Sequence, residues 1–281
     1  MALPPKSSII PPYFGAAIIS KQGSAMTPLD RFLQRNSIKT AQGLPLVHSA
    51  TAYTVRKIVE TKQIVSREEC KVFAGEKINY FFVGRPAYKK QYEIEGDYWE
   101  LPACVILEYG SIPIKRIFPF DTGAFDLYPD FIKIMERSSF EATNTSQAIE
   151  RLIGSFFISP SAYFKLRPRS SSDFERRFNI GVLDEEIKAL YKLILSKSGK
   201  YDDRRFSIEV QSDPIIALTN NVLAVVFPEE YCESKEYMKW VTSDLNATAV
   251  PYQTFPLKKE FYYYAMYEAV LKFYQDRGMV K

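Results

Sequence analysis

The chain of 281 residues has a single histidine, His48, and three cysteines, Cys70, Cys104 and Cys232, with no CxxC pair among them. One histidine excludes a two-histidine metal site or a His–His acid–base pair, and the cysteine spacing argues against a zinc knuckle or a disulfide framework. The sequence contains no GxGxxG and no Walker motif. It also has no apolar run near the roughly 20 residues that a spanning helix needs. Pro11 and Pro12 interrupt the one short apolar stretch near the start, so neither a signal peptide nor a membrane span is expected, and a cytoplasmic location is. Net charge is a mild +4, which permits a local basic surface without implying a nucleic-acid-coating protein.

Aromatics are abundant: 20 Phe and 19 Tyr raise the aromatic share to 15%. Such rings fill β-rich cores, and they also line sites that stack flat ligands. Residues 1–43 read as an irregular extension with one short helix near Pro28–Gln34, and 44–281 as a single domain. Leu44–His48 is expected as a strand and Thr51–Thr61 as a helix. Ile78–Val83 and Leu101–Tyr109 read as strands, and Ile112–Phe120 as another extended piece. Helices are expected over Phe131–Arg137, Thr145–Phe157, Asp184–Leu195 and Lys258–Gln275, with strands at Arg205–Gln211 and Val222–Phe227. Arg167–Phe178, basic and rich in serine, is expected as a surface loop. Without regular βαβ alternation the class is α+β.

Three segments place polar groups at the ends of apolar strands: Leu46-Val47-His48-Ser49, Tyr80-Phe81-Phe82-Val83-Gly84-Arg85-Pro86-Ala87-Tyr88 and Phe206-Ser207-Ile208-Glu209-Val210-Gln211. Strand ends fix geometry while staying open to ligands. In this order the segments resemble the ADP-ribosyltransferase superfamily, and within it the DarT-like toxins that ADP-ribosylate DNA. The resemblance spans roughly residues 44–230 through short, widely separated motifs. It implies a split central β-sheet flanked by helices, with NAD⁺ as substrate and no metal. Glu209 is the implied catalytic carboxylate and Arg85 the implied partner of cofactor phosphates or developing charge. His48 would hold the adenosine-side ribose, the Ser49 backbone the nicotinamide amide, and Tyr80, with Tyr88 beside it, the cofactor rings. Ser207 stands where arginine-modifying relatives carry a glutamate, which turns the expectation toward another acceptor. Arg167, Arg169, Arg176, Arg177, Arg204 and Arg205, interleaved with Tyr163, Phe164, Phe174 and Phe178, point to single-stranded nucleic acid. Enzymes of this kind are often toxins or antiviral effectors held in check by an antitoxin or inhibitor protein.

Each residue also has a plainer reading: His48 as a structural histidine, Tyr80–Phe82 as core, Glu209 as a solvated strand carboxylate, and the arginines as a solvated face. Glu209-Val210-Gln211 also fits the E-x-Q form of a Mg²⁺-dependent PD-(D/E)xK nuclease. There the first metal ligand is hard to place, since Asp202 and Asp203 lie too close and Asp184 is helical. Phe120-Asp121-Thr122-Gly123-Ala124 matches an aspartic-protease loop, but no second copy exists and it reads as a turn. A non-enzymatic binding protein with an aromatic surface is the third class.

Overall fold

A computed structural model describes residues 26–36, 38, 43–87, 97–196, 204–255 and 260–281. Their elements in chain order are α1 (Pro28–Arg35), β1 (Leu46–Thr51), α2 (Ala52–Thr61), β2 (Gln63–Val65), β3 (Asn79–Val83), β4 (Pro102–Leu107) and β5 (Arg116–Phe118). Then follow α3 (Asp130–Lys133), α4 (Ser146–Phe156), α5 (Pro160–Phe164), α6 (Ser171–Arg177) and α7 (Glu185–Leu195). The rest is β6 (Glu209–Ser212), β7 (Ile215–Ala217), β8 (Val222–Pro228), α8 (Lys235–Lys239), β9 (Thr248–Tyr252) and α9 (Glu260–Asp276). A seven-stranded sheet runs β5-β6-β3-β1-β4-β8-β9, and β2 pairs with β7 as a separate ribbon. All pairs are antiparallel except β8–β9, so the class is mixed α and β around a mixed sheet. No helix among the described residues is long and apolar enough to cross a membrane.

The β4 strand shows why the core sits at the sheet's centre. Every residue of Pro102–Leu107 is buried, as a continuous apolar run predicts for a strand covered on both faces. The helices are set by local signals. Thr27, Thr51, Thr145, Ser159 and Ser170 each accept a backbone N–H of the following first turn, as N-caps do. The one-turn helix near Pro28 expected from sequence is therefore α1, stapled further by Thr27 Oγ1 donating to the Glu141 carbonyl.

Several expectations need correcting. Arg167–Phe178 is no simple surface loop: Ser170 caps α6, and Phe174 stacks on Tyr191 of α7 at 4.0 Å. The helix expected over Phe131–Arg137 is confined to Asp130–Lys133, followed by a 3₁₀ turn at Arg137–Phe140. The strand expected at Arg205–Gln211 begins only at Glu209, because Arg204–Phe206 forms a 3₁₀ turn. The extended piece at Ile112–Phe120 contributes three strand residues.

Gly84 ends β3 with φ +63°, and its N–H donates to the Pro45 carbonyl at 2.6 Å. A Cβ there would stand 2.6 Å from Leu44 Cδ1 and 2.9 Å from Leu44 Cβ. Gly84→Ala therefore combines left-handed strain with a clash. It is expected to lower stability by about 1–3 kcal/mol, read as a reduced urea midpoint; an unchanged midpoint would show the turn to be soft.

Candidate active site

Strand β1 pairs with β4 along all six residues but with β3 only through Leu46↔Val83 and Val47↔Phe82. Beyond Val47 a side chain replaces the ladder. His48 Nδ1 lies 2.9 Å from the Tyr80 carbonyl oxygen. A carbonyl only accepts, so Nδ1 carries the proton and Nε2 keeps its lone pair. The ring packs 5.5 Å from that of Phe81. Burial lowers the His48 pKa from its usual 6.5, outweighing the opposing pull of the Tyr80 bond, so the imidazole is neutral at neutral pH. A cleft of about 370 Å³ opens here, lined by His48, Ser49, Tyr80 and Phe82 from the sheet and by Thr54 and Ile58 of α2, within the range of small-ligand sites. Ser49 Oγ is buried and makes no hydrogen bond among the described residues.

The acid lies one strand further on. Glu209 opens β6 in register with Phe82 on one side and Phe118 on the other. It has no exposed surface. Its carboxyl accepts from Thr122 N–H at 3.0 Å, Thr122 Oγ1 at 2.8 Å and Gln211 Nε2 at 2.7 Å. Asp121, just ahead of Thr122, accepts from Gly123 N–H and forms an ion pair with Arg204 at 2.7 Å. Burial first and the Asp121 charge second push Glu209 up to about 8, while the Gln211 and Thr122 donors pull the other way. Tyr80 joins the two regions. Its carbonyl holds His48, its hydroxyl lies 2.6 Å from Cys70 Sγ, and its phenol is raised by burial, by Cys70 and by the charges of Glu209 and Asp121.

Cross-strand partners share a face and neighbours along a strand alternate. Val47, Phe82 and Glu209 therefore lie on one face, and His48 with Phe81 and Val210 on the other. Glu209 does not line the cleft; Phe82, which does, shares its face. Arg85 does not line it either. Arg85 is 1% exposed, its guanidinium 5.9 Å from the Tyr163 ring and 5.8 Å from that of Tyr267. The Tyr163 hydroxyl accepts from Ile208 N–H, the residue before Glu209. Tyr88 lies outside the described residues.

The arginines divide. Arg167, Arg176 and Arg177 are exposed, Arg176 with Asp173 at 3.3 Å. Arg169 is buried, bonding the Gly154 and Ser155 carbonyls at the end of α4 and pairing with Asp173, while Arg204 is turned inward to Asp121. Arg205 donates to the Ser196 carbonyl and lies over Phe206. Tyr163, Phe164, Phe174 and Phe178 are buried as well, so the expected base-stacking face is core. The expectation missed Asp121, Thr122 and Gln211. Gln211 was legible as the i+2 neighbour of Glu209 on one strand face; the Asp121 turn was recognised without its role. No known family model, curated protein or solved structure matches this chain.

A raised Glu209 makes the native state hold a proton that the unfolded chain releases. Its contribution is fully present below pH 4.5 and is lost as pH rises through about 8. His48 acts in the opposite sense, costing stability as pH falls below 6.5. The difference in urea midpoint between wild type and Glu209→Gln should therefore change steadily between pH 5 and pH 9, the wild type losing ground as pH rises. A constant difference across that window would show that Glu209 titrates normally. Arg169→Ala should cost about 3–5 kcal/mol in the same assay, because it leaves Asp173 and two buried carbonyls without their partner. A surface arginine would cost less than about 1 kcal/mol.

Proposed function

We propose that the chain is an NAD⁺-dependent mono-ADP-ribosyltransferase acting on a macromolecular acceptor, single-stranded nucleic acid in the first instance. One observation carries the reading. The three motif-bearing strands are consecutive in the sheet, β6-β3-β1, and the ladder between the histidine strand and the aromatic strand stops after two pairs. This is the split sheet that the resemblance to ADP-ribosyltransferases implies, with His48, Ser49 and Tyr80 around the opening.

In this reading the neutral His48 accepts a ribose hydroxyl through Nε2, and Ser49 meets the nicotinamide amide. The C1′–N bond to nicotinamide breaks, the electron pair leaves with the ring, and C1′ bonds to the acceptor oxygen or nitrogen, whose proton is released. Positive charge at C1′ is greatest in the transition state, so a carboxylate beside it is a catalytic group. Glu209 fills that role once the Phe82 ring turns aside. The approaching cationic nicotinamide favours its ionised form, against the burial that raises its pKa. Arg85, under Tyr163 and Tyr267, fixes the turn after β3 and does not reach the cofactor. An antitoxin or inhibitor partner belongs to the same reading.

A second reading has one specific observation in its favour. Asp121, following β5, stands beside Glu209 and supplies the acid that a Mg²⁺-dependent nuclease lacked in the sequence. Its oxygen is taken by the Arg204 guanidinium, a cation already in the place a metal would hold.

Incubation with labelled NAD⁺ and single-stranded DNA or RNA in the presence of a chelator should transfer label. Glu209→Ala should reduce transfer by about 100-fold or more, and His48→Ala should raise the KM for NAD⁺. Label transfer that survives Glu209→Ala sinks the assignment, and so does Mg²⁺-dependent cleavage of DNA without NAD⁺ consumption.

A further inference from the structure

The cleft has an aromatic rim on the side where α2 begins. Thr54 lines the cleft, and the preceding residue, Tyr53, is 50% exposed. The Ala52 N–H donates to the Leu101 carbonyl, which ties the start of α2 to the turn holding Tyr98 and Trp99. These two rings are 39% and 42% exposed. Tyr98 meets Trp99 edge-on at 5.2 Å and 77°, and meets Tyr231 edge-on at 5.4 Å and 78°. Arg56 lies over the Tyr53 ring at 5.2 Å. Edge-on packing leaves ring faces that are not stacked on one another, and large exposed rings with open faces are surfaces for flat partners.

We infer that Tyr53, Tyr98 and Trp99 form a stacking platform for a base of a single-stranded nucleic acid, placing it at the cleft mouth as the acceptor. The role as acceptor site rests on the transferase reading; the binding itself does not. Charge around the platform decides how the strand is held. Arg56 and Lys57 share Glu60, and Asp97, Glu100, Glu229 and Glu230 lie on the segments that carry or adjoin Tyr98, Trp99 and Tyr231. This mixed field gives phosphates little attraction, so ring stacking holds the base and salt has little influence. The exposed arginines of α6 belong to a different part of the fold and do not form this surface.

The chain has two tryptophans, Trp99 and Trp240, so a Trp240→Phe background leaves Trp99 as the only indole reporter. Titration with a short single-stranded oligodeoxynucleotide should quench its emission. Tyr53→Ala and Tyr98→Ala should each weaken binding about tenfold, while Tyr53→Phe and Tyr98→Phe keep it, since the ring face and not the hydroxyl makes the contact. Raising salt from about 50 to about 200 mM should change affinity less than about tenfold, whereas a site built on six or more phosphate contacts loses about a thousandfold. Absence of quenching, quenching untouched by Tyr98→Ala, or a steep salt dependence overturns the platform. Quenching by a proline-rich peptide and not by the oligonucleotide does so too, in favour of a protein partner. Hydrolysis of NAD⁺ on the same preparations separates the failures. Oligonucleotide binding through the platform without hydrolysis defeats the transferase reading and leaves the platform standing; hydrolysis without quenching does the reverse.

Discussion

One hydrogen bond, from His48 Nδ1 to the Tyr80 carbonyl, stands where the sheet would otherwise continue its ladder. Parting two central strands strands their backbone donors and acceptors, and buried groups of that kind need partners. The imidazole supplies one without closing the gap. That is how a seven-stranded sheet can be continuous from β5 to β9 and still contain an opening at its middle. The same bond fixes the tautomer, and the tautomer leaves an acceptor nitrogen. Fold and candidate chemistry therefore meet at a single side chain.

The acid on the other edge of β3 answers to a different constraint. A carboxyl with no exposed surface must either find donors or keep its proton. Glu209 has three donors, two of them from Thr122, and it also has Asp121 as an unfavourable neighbour. The donors favour the anion; burial and Asp121 favour the acid and prevail. Arg204 takes up the charge of Asp121, so that acid remains an anion beside a group that resists becoming one. A carboxyl held in this way is responsive to any cation brought near it. Such responsiveness is a property of arrangement, since neither acid has it alone.

How much of this was legible in the sequence follows from the range of the interactions. The strands at His48, Tyr80 and Glu209 could be read because alternation and apolar neighbours are local signals. The alternation around Ile208 and Val210 correctly set Glu209 on the other face, yet that face is buried too, by a turn 87 residues earlier in the chain. Facing relations were illegible for the same reason: only the pairing Phe82↔Glu209 reveals that the acid and the imidazole have opposite parity. The basic, serine-rich stretch looked solvent-facing because composition was its only signal. Arg169 instead binds carbonyls at the end of α4, and serine at position 170 is a helix cap, not a marker of a loop. Strand β9 was hidden by Pro251, a residue tolerated there because β9 is the edge strand of the sheet.

Helix α2 shows how a short segment can serve two surfaces at once. Consecutive residues on a helix point about 100° apart, so Thr54 can face the cleft while Tyr53 faces solvent. The Thr51 cap fixes where the helix starts, and the Ala52 N–H bond to Leu101 fixes which turn it adjoins. Both constraints act within four residues of His48 along one chain direction. A shift of the helix start by a single residue would rotate Tyr53 away from Tyr98 and move Thr54 out of the cleft together. The geometry of the opening and that of its aromatic rim are thus set by the same cap, and neither can vary without the other.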